Sequence, residues 1–364
     1  MAKSNLKAAK KSKFDEFYTR LEDCEIELKH YKDYFRNKVI ICNCDDPYES
    51  NFFKYFAINF NYLELKKLIA TCYNGSQFAY TQLSLFDDEE ENNKTAYKVE
   101  IEKIEDLNGD GVIDVFDIEL LLKTPGVVKR LKGNGDFRSD ECIKLLEESD
   151  IAVTNPPFSL FREYLSLLVS MNKDFIIMGN TNALGYRETF KLFKEDKIRT
   201  GYTNFNKGMY FYVPDDTVDY HKLENGKKLV RVSTSCWFTN LPVSKHKELL
   251  VLYRQYSSED YPKYYNFDAI NIDLYTDIPI DYDGYMGVPI TFLDKYNPDQ
   301  FELIGLGISS SGLEIGVKPY ETQHKKYRKE VQRKGAVDGD LYFLDEEGHP
   351  LVPYSRIIIK KRGA

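Results

Sequence analysis

Ile151-Ala152-Val153-Thr154-Asn155-Pro156-Pro157-Phe158 is the stretch from which the rest of the chain can be read. Ser149-Asp150 closes a helical run. Residues 151–154 form a short β-branched strand, with Asn155-Pro156-Pro157-Phe158 at its carboxyl end. In open α/β sheets, ligands bind just outside the carboxyl ends of strands. Two consecutive prolines fix φ and remove two main-chain donors, so the carbonyls of the turn are stiffly aimed. A carboxamide, a rigid carbonyl and an aromatic ring suit a flat base that carries an exocyclic amine. Asn155 Oδ1 and the Pro156 carbonyl can each accept one amine hydrogen, and Phe158 can stack on the ring. For these four residues taken alone, a structural strand-to-turn motif is the competing reading.

On the amino-terminal side, residues 39–44 read as a buried parallel strand and residues 50–60 as a helix, joined through Asp45-Asp46-Pro47. Strand, turn and helix in that order open a Rossmann-like nucleotide-binding unit. The turn lacks the glycine that usually lets main chain approach a ligand. Residues 65–72 read as a second strand, which ends in Thr71-Cys72 where an acid for ribose hydroxyls is usual. On the carboxyl side, residues 161–169 read as the helix after the turn and residues 175–180 as another buried strand. Residues 230–240 read as antiparallel edge strands with Trp237 inside. Near the start, Leu21, Cys24, Leu28 and Tyr31 recur at helical spacing, predicting a helix over residues 15–35.

At 364 residues the chain is long enough for one large or two medium domains. Its apolar content of 42% marks it as globular, and no apolar run approaches the ~20 residues of a membrane span. Lys3, Lys7, Lys10, Lys11 and Lys13 have no apolar stretch behind them, so this segment does not read as a secretory signal. Six scattered cysteines read as core residues in a reducing compartment. The net charge of −8 speaks against a nucleic-acid partner only on average, because a basic face can coexist with acidic segments. Lys10, Lys11 and Lys13 in the arm 1–14, and Lys325, Lys326 and Arg328 near the other end, are the candidates for such a face.

Asn-Pro-Pro-aromatic resembles the catalytic motif of amino methyltransferases that use S-adenosylmethionine (SAM). Further stretches are similar to the EcoRI-type adenine-specific DNA methyltransferases. They are residues 15–19 (Asp-Glu-Phe-Tyr-Thr), 42–47 (Cys-Asn-Cys-Asp-Asp-Pro), 50–56 (Ser-Asn-Phe-Phe-Lys-Tyr-Phe), 135–139 (Gly-Asp-Phe-Arg-Ser), 236–240 (Cys-Trp-Phe-Thr-Asn) and 287–293 (Gly-Val-Pro-Ile-Thr-Phe-Leu). They span most of the chain in order. The resemblance implies an α/β, Rossmann-like methyltransferase sheet over residues 15–240 and a DNA target-recognition region over residues 241–364. It implies SAM binding by Tyr18 and Thr19, by Asn43, Asp45, Pro47, Ser50 and Asn51, by Cys72, by Asp136 and Phe137 against the adenine, and by Asn155. Asn155, Pro156, Pro157 and Phe158 would then act on a flipped-out adenine of double-stranded DNA. Such an enzyme belongs to a restriction-modification or orphan modification system in a bacterial cytoplasm. The rival readings are methylation of RNA or protein glutamine, and a non-catalytic DNA- or clamp-binding module.

Residues 75–133 have no counterpart in those stretches, and two signals lie there. Gln82-Leu83-Ser84-Leu85-Phe86 resembles the peptide by which bacterial proteins dock on the sliding clamp. Against that, residues 79–85 alternate like a strand that residues 95–104 could pair with, and the hairpin is the preferred reading. Asp106, Asn108, Asp110, Asp114 and Asp117 take positions one, three, five, nine and twelve of a calcium loop, with Gly111 at six and the Val112 carbonyl at seven. The spacing favours a structural calcium ion. The alternative is that Asp114 caps the next helix, with Asp117 in its first turn.

Overall fold

The computed structural model describes residues 18–44, 46–73, 96–205, 208–213, 215, 217–331 and 335–363. The arm 1–14 with Lys10, Lys11 and Lys13, the turn residue Asp45 and the segment 82–86 lie outside them. The chain divides into two units. The first runs to Thr181 and resumes over Thr200–Leu241; the second comprises Asn182–Arg199 and the chain from Pro242 onward.

The first unit is organised on strands too uniformly apolar to be half-exposed. In β2 (Val39–Asn43) and β6 (Ile151–Thr154) every residue is buried, and in β3 (Lys67–Cys72) and β7 (Asp174–Asn180) all but the first. Runs of this kind belong to parallel strands covered on both faces. β2 pairs in parallel with β3 on one side and with β6 on the other, and β6 pairs in parallel with β7. Antiparallel strands extend both ends. β4 (Tyr97–Ile101) and β5 (Val128–Arg130) follow β3, while β12 (Ser235–Thr239) and β8 (Arg199–Thr200) follow β7. The order is β5-β4-β3-β2-β6-β7-β12-β8. Chain progress therefore reverses between β2 and β6, which makes the crevice at their carboxyl ends the sheet's topological switch point.

A second sheet has the order β1-β9-β11-β10, from β1 (Tyr18–Thr19), β9 (Met209–Val213), β10 (Lys222–Glu224) and β11 (Lys227–Val232). Two expectations change here. The helix predicted over 15–35 begins only at Leu21: Tyr18 and Thr19 pair with Tyr212 and Phe211 of β9, an edge that suits the β-favouring Tyr-Thr pair. Helix α1 (Leu21–Leu28) then leads, through a 3-10 turn, into α2 (Lys32–Phe35). Of residues 230–240, β12 is the strand antiparallel to β7, with Trp237 at 1% exposure, but residues 230–232 belong to β11 of the other sheet.

Helix α3 (Asn51–Ile58) connects β2 to β3, and its start is specified by Ser50, whose Oγ accepts from Phe53 N at 3.2 Å. Helix α4 (Val115–Lys123) lies between β4 and β5. Helix α5 (Asp140–Glu148) precedes β6, and α6 (Phe161–Ser170) follows the proline turn. Phe161 fixes the approach of α6 to β7: a Cβ at Gly179 would lie 2.4 Å from its ring, so that position tolerates only glycine.

Of the hairpin expected between residues 79–85 and 95–104, residues 79–85 lie outside the described residues. Among the described residues, β4 pairs with β3 along one edge and, over Tyr97 to Val99, with β5 along the other. The ladder to β3 satisfies five consecutive positions of β4, from Tyr97 to Ile101.

In the second unit, α7 (Arg187–Lys194) accompanies a mixed sheet of order β13-β14-β18-β15. Its strands are β13 (Ala269–Asn271), β14 (Tyr285–Pro289), β15 (Phe301–Leu306) and β18 (Arg356–Lys361), with the hairpin β16 (Phe343–Leu344) and β17 (Pro350–Leu351) beside them in sequence. Two short helices, α8 (Ser309–Glu314) and α9 (Thr322–Val331), complete it. Its interior carries a charge pair, Lys245 Nζ donating to Asp294 at 2.7 Å, and buried Arg356 donates to buried Asn271 at 3.0 Å and to exposed Asp273 at 2.8 Å.

Candidate active site

The proline turn emerges from β6 at the switch point. Asn155 and Pro156 are buried, while Pro157 and Phe158 are half-buried. Leu160 N donates back to the Pro157 carbonyl at 2.9 Å, closing the turn before α6 begins. β2 lies alongside with Ile40 opposite Ile151 and Ile41 opposite Ala152. Carried forward, that register sets Asn43 level with Thr154. The ends of two neighbouring strands, ~4.8 Å apart, thus present Asn43 and Asn155 on the same edge of the sheet.

The expected cofactor residues gather around this edge from three directions. Thr19 arrives on β1, and its carbonyl accepts from Asn51 Nδ2, in the first turn of α3, at 2.8 Å. Asn43 ends β2, and Tyr164 donates its hydroxyl proton to Asn43 Oδ1. Thr19 Oγ1 and Asn43 Nδ2 are buried and have no hydrogen-bond partner among the described residues. Buried polar atoms are rarely left so, and a bound ligand is one standard reason. Pro47 is buried in the turn, and Ser50 spends its hydroxyl on capping α3.

At the end of β3 the structure supplies what the sequence of that strand lacks. Cys72 is 1% exposed, and its Sγ lies 3.7 Å from Asp46 Oδ2. Asp46 comes from the turn after β2 and is 3% exposed. Its Oδ1 accepts from the Tyr97 hydroxyl at 2.6 Å and from Tyr48 N at 2.9 Å. Burial pushes its carboxyl above the usual range; the bonds from Tyr97 and Tyr48 act the other way. An acid thus stands beside the end of β3 after all, delivered by a different turn. The strand's own ending, Thr71-Cys72, gave no sign of it; the signal was the acidic pair after β2.

The turn expected to face the adenine packs against the same strand end. Gly135 has φ +77, and a Cβ there would lie 2.3 Å from the Cys72 carbonyl, so the close approach and the left-handed conformation both require glycine. Phe137 is 5% exposed and meets Tyr164 edge-on at 5.1 Å. Asp136 is not idle: Arg138 donates to both its oxygens, at 2.9 and 2.6 Å, and holds its carboxyl below the usual range.

Two further sets of candidates have partners within the protein itself. The calcium loop keeps its turns, but its ligand carboxylates serve the loop's own main chain. Asp106 accepts from Gly109 N and Gly111 N at 2.6 and 2.7 Å. Asp117 accepts from Leu107 N, Asn108 N and Asp114 N at 2.7, 3.2 and 2.9 Å. Asp114 caps α4 in a reciprocal box with Asp117, the alternative weighed above, while Asn108 and Asp110 close turns onto Asp110 N and Val112 N. Among the described residues, the acids of this loop do not converge on one point. In α9, Arg328 is buried and Lys325 donates to Asp338 at 2.6 Å, because helical periodicity turns both toward the protein; Lys326 is exposed. The three do not form a common basic face.

The family described as "Adenine-specific methyltransferase EcoRI" matches residues 5–362. The chain is 44% identical over 327 residues to the Type II methyltransferase M.EcoRI of Escherichia coli, covering 86% of this chain and 94% of that protein. It is 39% identical over 305 residues to the Type II methyltransferases M.MgeORF184P of Mycoplasma genitalium and M.MpnI of Mycoplasma pneumoniae, covering 81% of this chain and 84% and 83% of theirs. No solved structure matches. The match runs through both units and includes the proline turn, so the chain belongs to the EcoRI adenine-specific methyltransferase family.

Proposed function

We propose that this chain methylates the exocyclic N6 amine of an adenine in double-stranded DNA, using SAM, as the modifying enzyme of a restriction-modification or orphan system in a bacterial cytoplasm. The observation that carries the reading is the pairing of β2 with β6 at the switch point, which sets Asn43 and the Asn155-Pro156 turn side by side. No helix among the described residues is long and apolar enough to cross a membrane.

SAM, when bound, supplies a methyl group activated by its sulfonium. Thr19 and Asn43 fit it, because each keeps a buried polar atom without a partner among the described residues. Asp46 would offer the ribose hydroxyls an acceptor, and Phe137 would pack against the adenine. The target adenine must leave the duplex stack, at a cost of a few kcal/mol. Stacking on Phe158 offsets about 1–3 kcal/mol of this. The amine lone pair is delocalised into the ring. Asn155 Oδ1 and the Pro156 carbonyl accept the two amine hydrogens, favour a pyramidal nitrogen and so release the lone pair for in-line attack. This is positioning and electrostatic stabilisation by a turn that two prolines hold rigid. Residues 241–364 read the target sequence in this scheme.

The test is methyl transfer from labelled SAM to duplex DNA, RNA and protein, followed by nucleoside analysis. N6-methyladenine in the DNA alone is the expected product. Label in RNA or in protein glutamine, with none in DNA, overturns the reading.

A further inference from the structure

Tyr164 was singled out by no motif, yet it joins three parts of the site. It lies on the first turn of α6, where its N–H donates to the Leu160 carbonyl at 3.0 Å, and it is fully buried. Its hydroxyl donates to Asn43 Oδ1 at the end of β2. Its ring meets Phe137, in the turn packed on β3, edge-on at 5.1 Å.

The bond to Asn43 has a chemical consequence. A carboxamide has an acceptor end and a donor end, and its neighbours decide which way each points. A tyrosine hydroxyl on Oδ1 commits the Nδ2 end to the opposite side. Asn43 is 1% exposed, and Nδ2 has no acceptor among the described residues. A donor sealed from water without an acceptor is unfavourable, and an oxygen of a bound ligand would satisfy it.

We propose that Tyr164 is a positioning residue: it holds the Asn43 carboxamide so that Nδ2 donates to an oxygen of bound SAM. This rests on the SAM reading above. Two oxygen groups share that chemistry, the methionine carboxylate and the ribose.

The experiment is calorimetric binding, without DNA, of S-adenosylhomocysteine and of methylthioadenosine, which keeps the adenine and ribose but lacks the carboxylate. Tyr164→Phe should weaken S-adenosylhomocysteine binding about tenfold. It should raise KM for SAM while leaving kcat at saturating SAM within about twofold. Asn43→Asp keeps an acceptor for the tyrosine hydroxyl but removes the donor, and should weaken binding at least as much. In an Asn43→Ala background, Tyr164→Phe should cause no further loss, which a merely structural tyrosine would not obey. An equal loss for methylthioadenosine assigns the acceptor to the ribose; a loss confined to S-adenosylhomocysteine assigns it to the carboxylate. Unchanged affinity in Tyr164→Phe, or additive losses in the double variant, overturns the proposal. Should Tyr164→Phe fail to fold, unweakened binding by Asn43→Asp overturns it instead. A wild-type protein that binds neither compound brings down the SAM reading itself, and this inference with it.

Discussion

Asn51 Nδ2 donates to the Thr19 carbonyl at 2.8 Å, tying the first turn of α3 to strand β1. Among the described residues, β1 comprises two residues and pairs on one side with β9. The side-chain bond therefore adds a second tie to Thr19 beside its strand pairing. Asn51→Ala should cost about 1 kcal/mol of stability and raise KM for SAM several-fold, with kcat changed little. A steady-state series varying SAM at saturating DNA checks this. A fall in kcat with unchanged KM would show that the bond serves catalysis rather than cofactor capture.

Asn155→Ala removes one of the two acceptors proposed for the amine hydrogens. Electrostatic donors and acceptors aimed at a reacting group are worth ~10²–10³ in rate each. Single-turnover methyl transfer should fall by at least that factor, while SAM and DNA affinities stay within a few-fold. Asn155→Asp keeps an acceptor oxygen and should retain more activity than Asn155→Ala. Near-normal single-turnover rates in the alanine variant would remove Asn155 from the chemistry.

The proline turn, the buried strands around it and the helix after it were legible in sequence because each rests on a local signal. Val39-Ile40-Ile41-Cys42 allows no half-exposed strand, and Pro156-Pro157 allows no helix. Asp46 was not legible as a site residue, because its role comes from β3, more than 20 residues later, folding back beside it. Tyr164 was hidden for the same reason: its partner Asn43 lies 121 residues away. The calcium-like loop marks a limit of spacing as a signal. Oxygen side chains at the right spacing describe a loop that can also be satisfied by its own N–H groups, and spacing cannot distinguish an ion from a main chain.

That loop yields a clean comparison. Asp114 accepts from Phe116 N at 2.8 Å as the cap of α4. Asp114→Ala should cost about 1 kcal/mol, as other lost caps do. The drop in Tm should be equal in calcium chloride and in chelator. The N–H of Asp114, with those of Leu107 and Asn108, holds the Asp117 carboxyl below its usual 3.8. Its contribution is thus fully present above that value and is lost as pH falls through the lower, folded-state value. A Tm that rises with calcium only while Asp114 is present would show that the loop holds the ion.

Asp46 sets stability against function. Burial raises its carboxyl above the ordinary 3.8, so in the folded protein the charged form is the disfavoured one. The sign follows from linkage: the penalty is absent below 3.8, grows as pH rises through the folded-state value, and is fully present beyond it. Asn is nearly isosteric and can still accept from the Tyr97 hydroxyl, so Asp46→Asn should unfold at higher denaturant concentration than wild type near neutrality. The two proteins should converge at the acid end of the titration. A carboxylate retained at such a cost is explained by a ligand that uses it, as stabilising changes at sites commonly lose function. SAM affinity should accordingly fall about tenfold in Asp46→Asn, one charge-assisted hydrogen bond being worth about 1.5 kcal/mol or more. Denaturation of the free protein between pH 4 and 8, and SAM titration at pH 7.5, measure the two effects separately. A variant that is more stable yet binds SAM as wild type does would leave Asp46 a structural residue, and the ribose would need another acceptor.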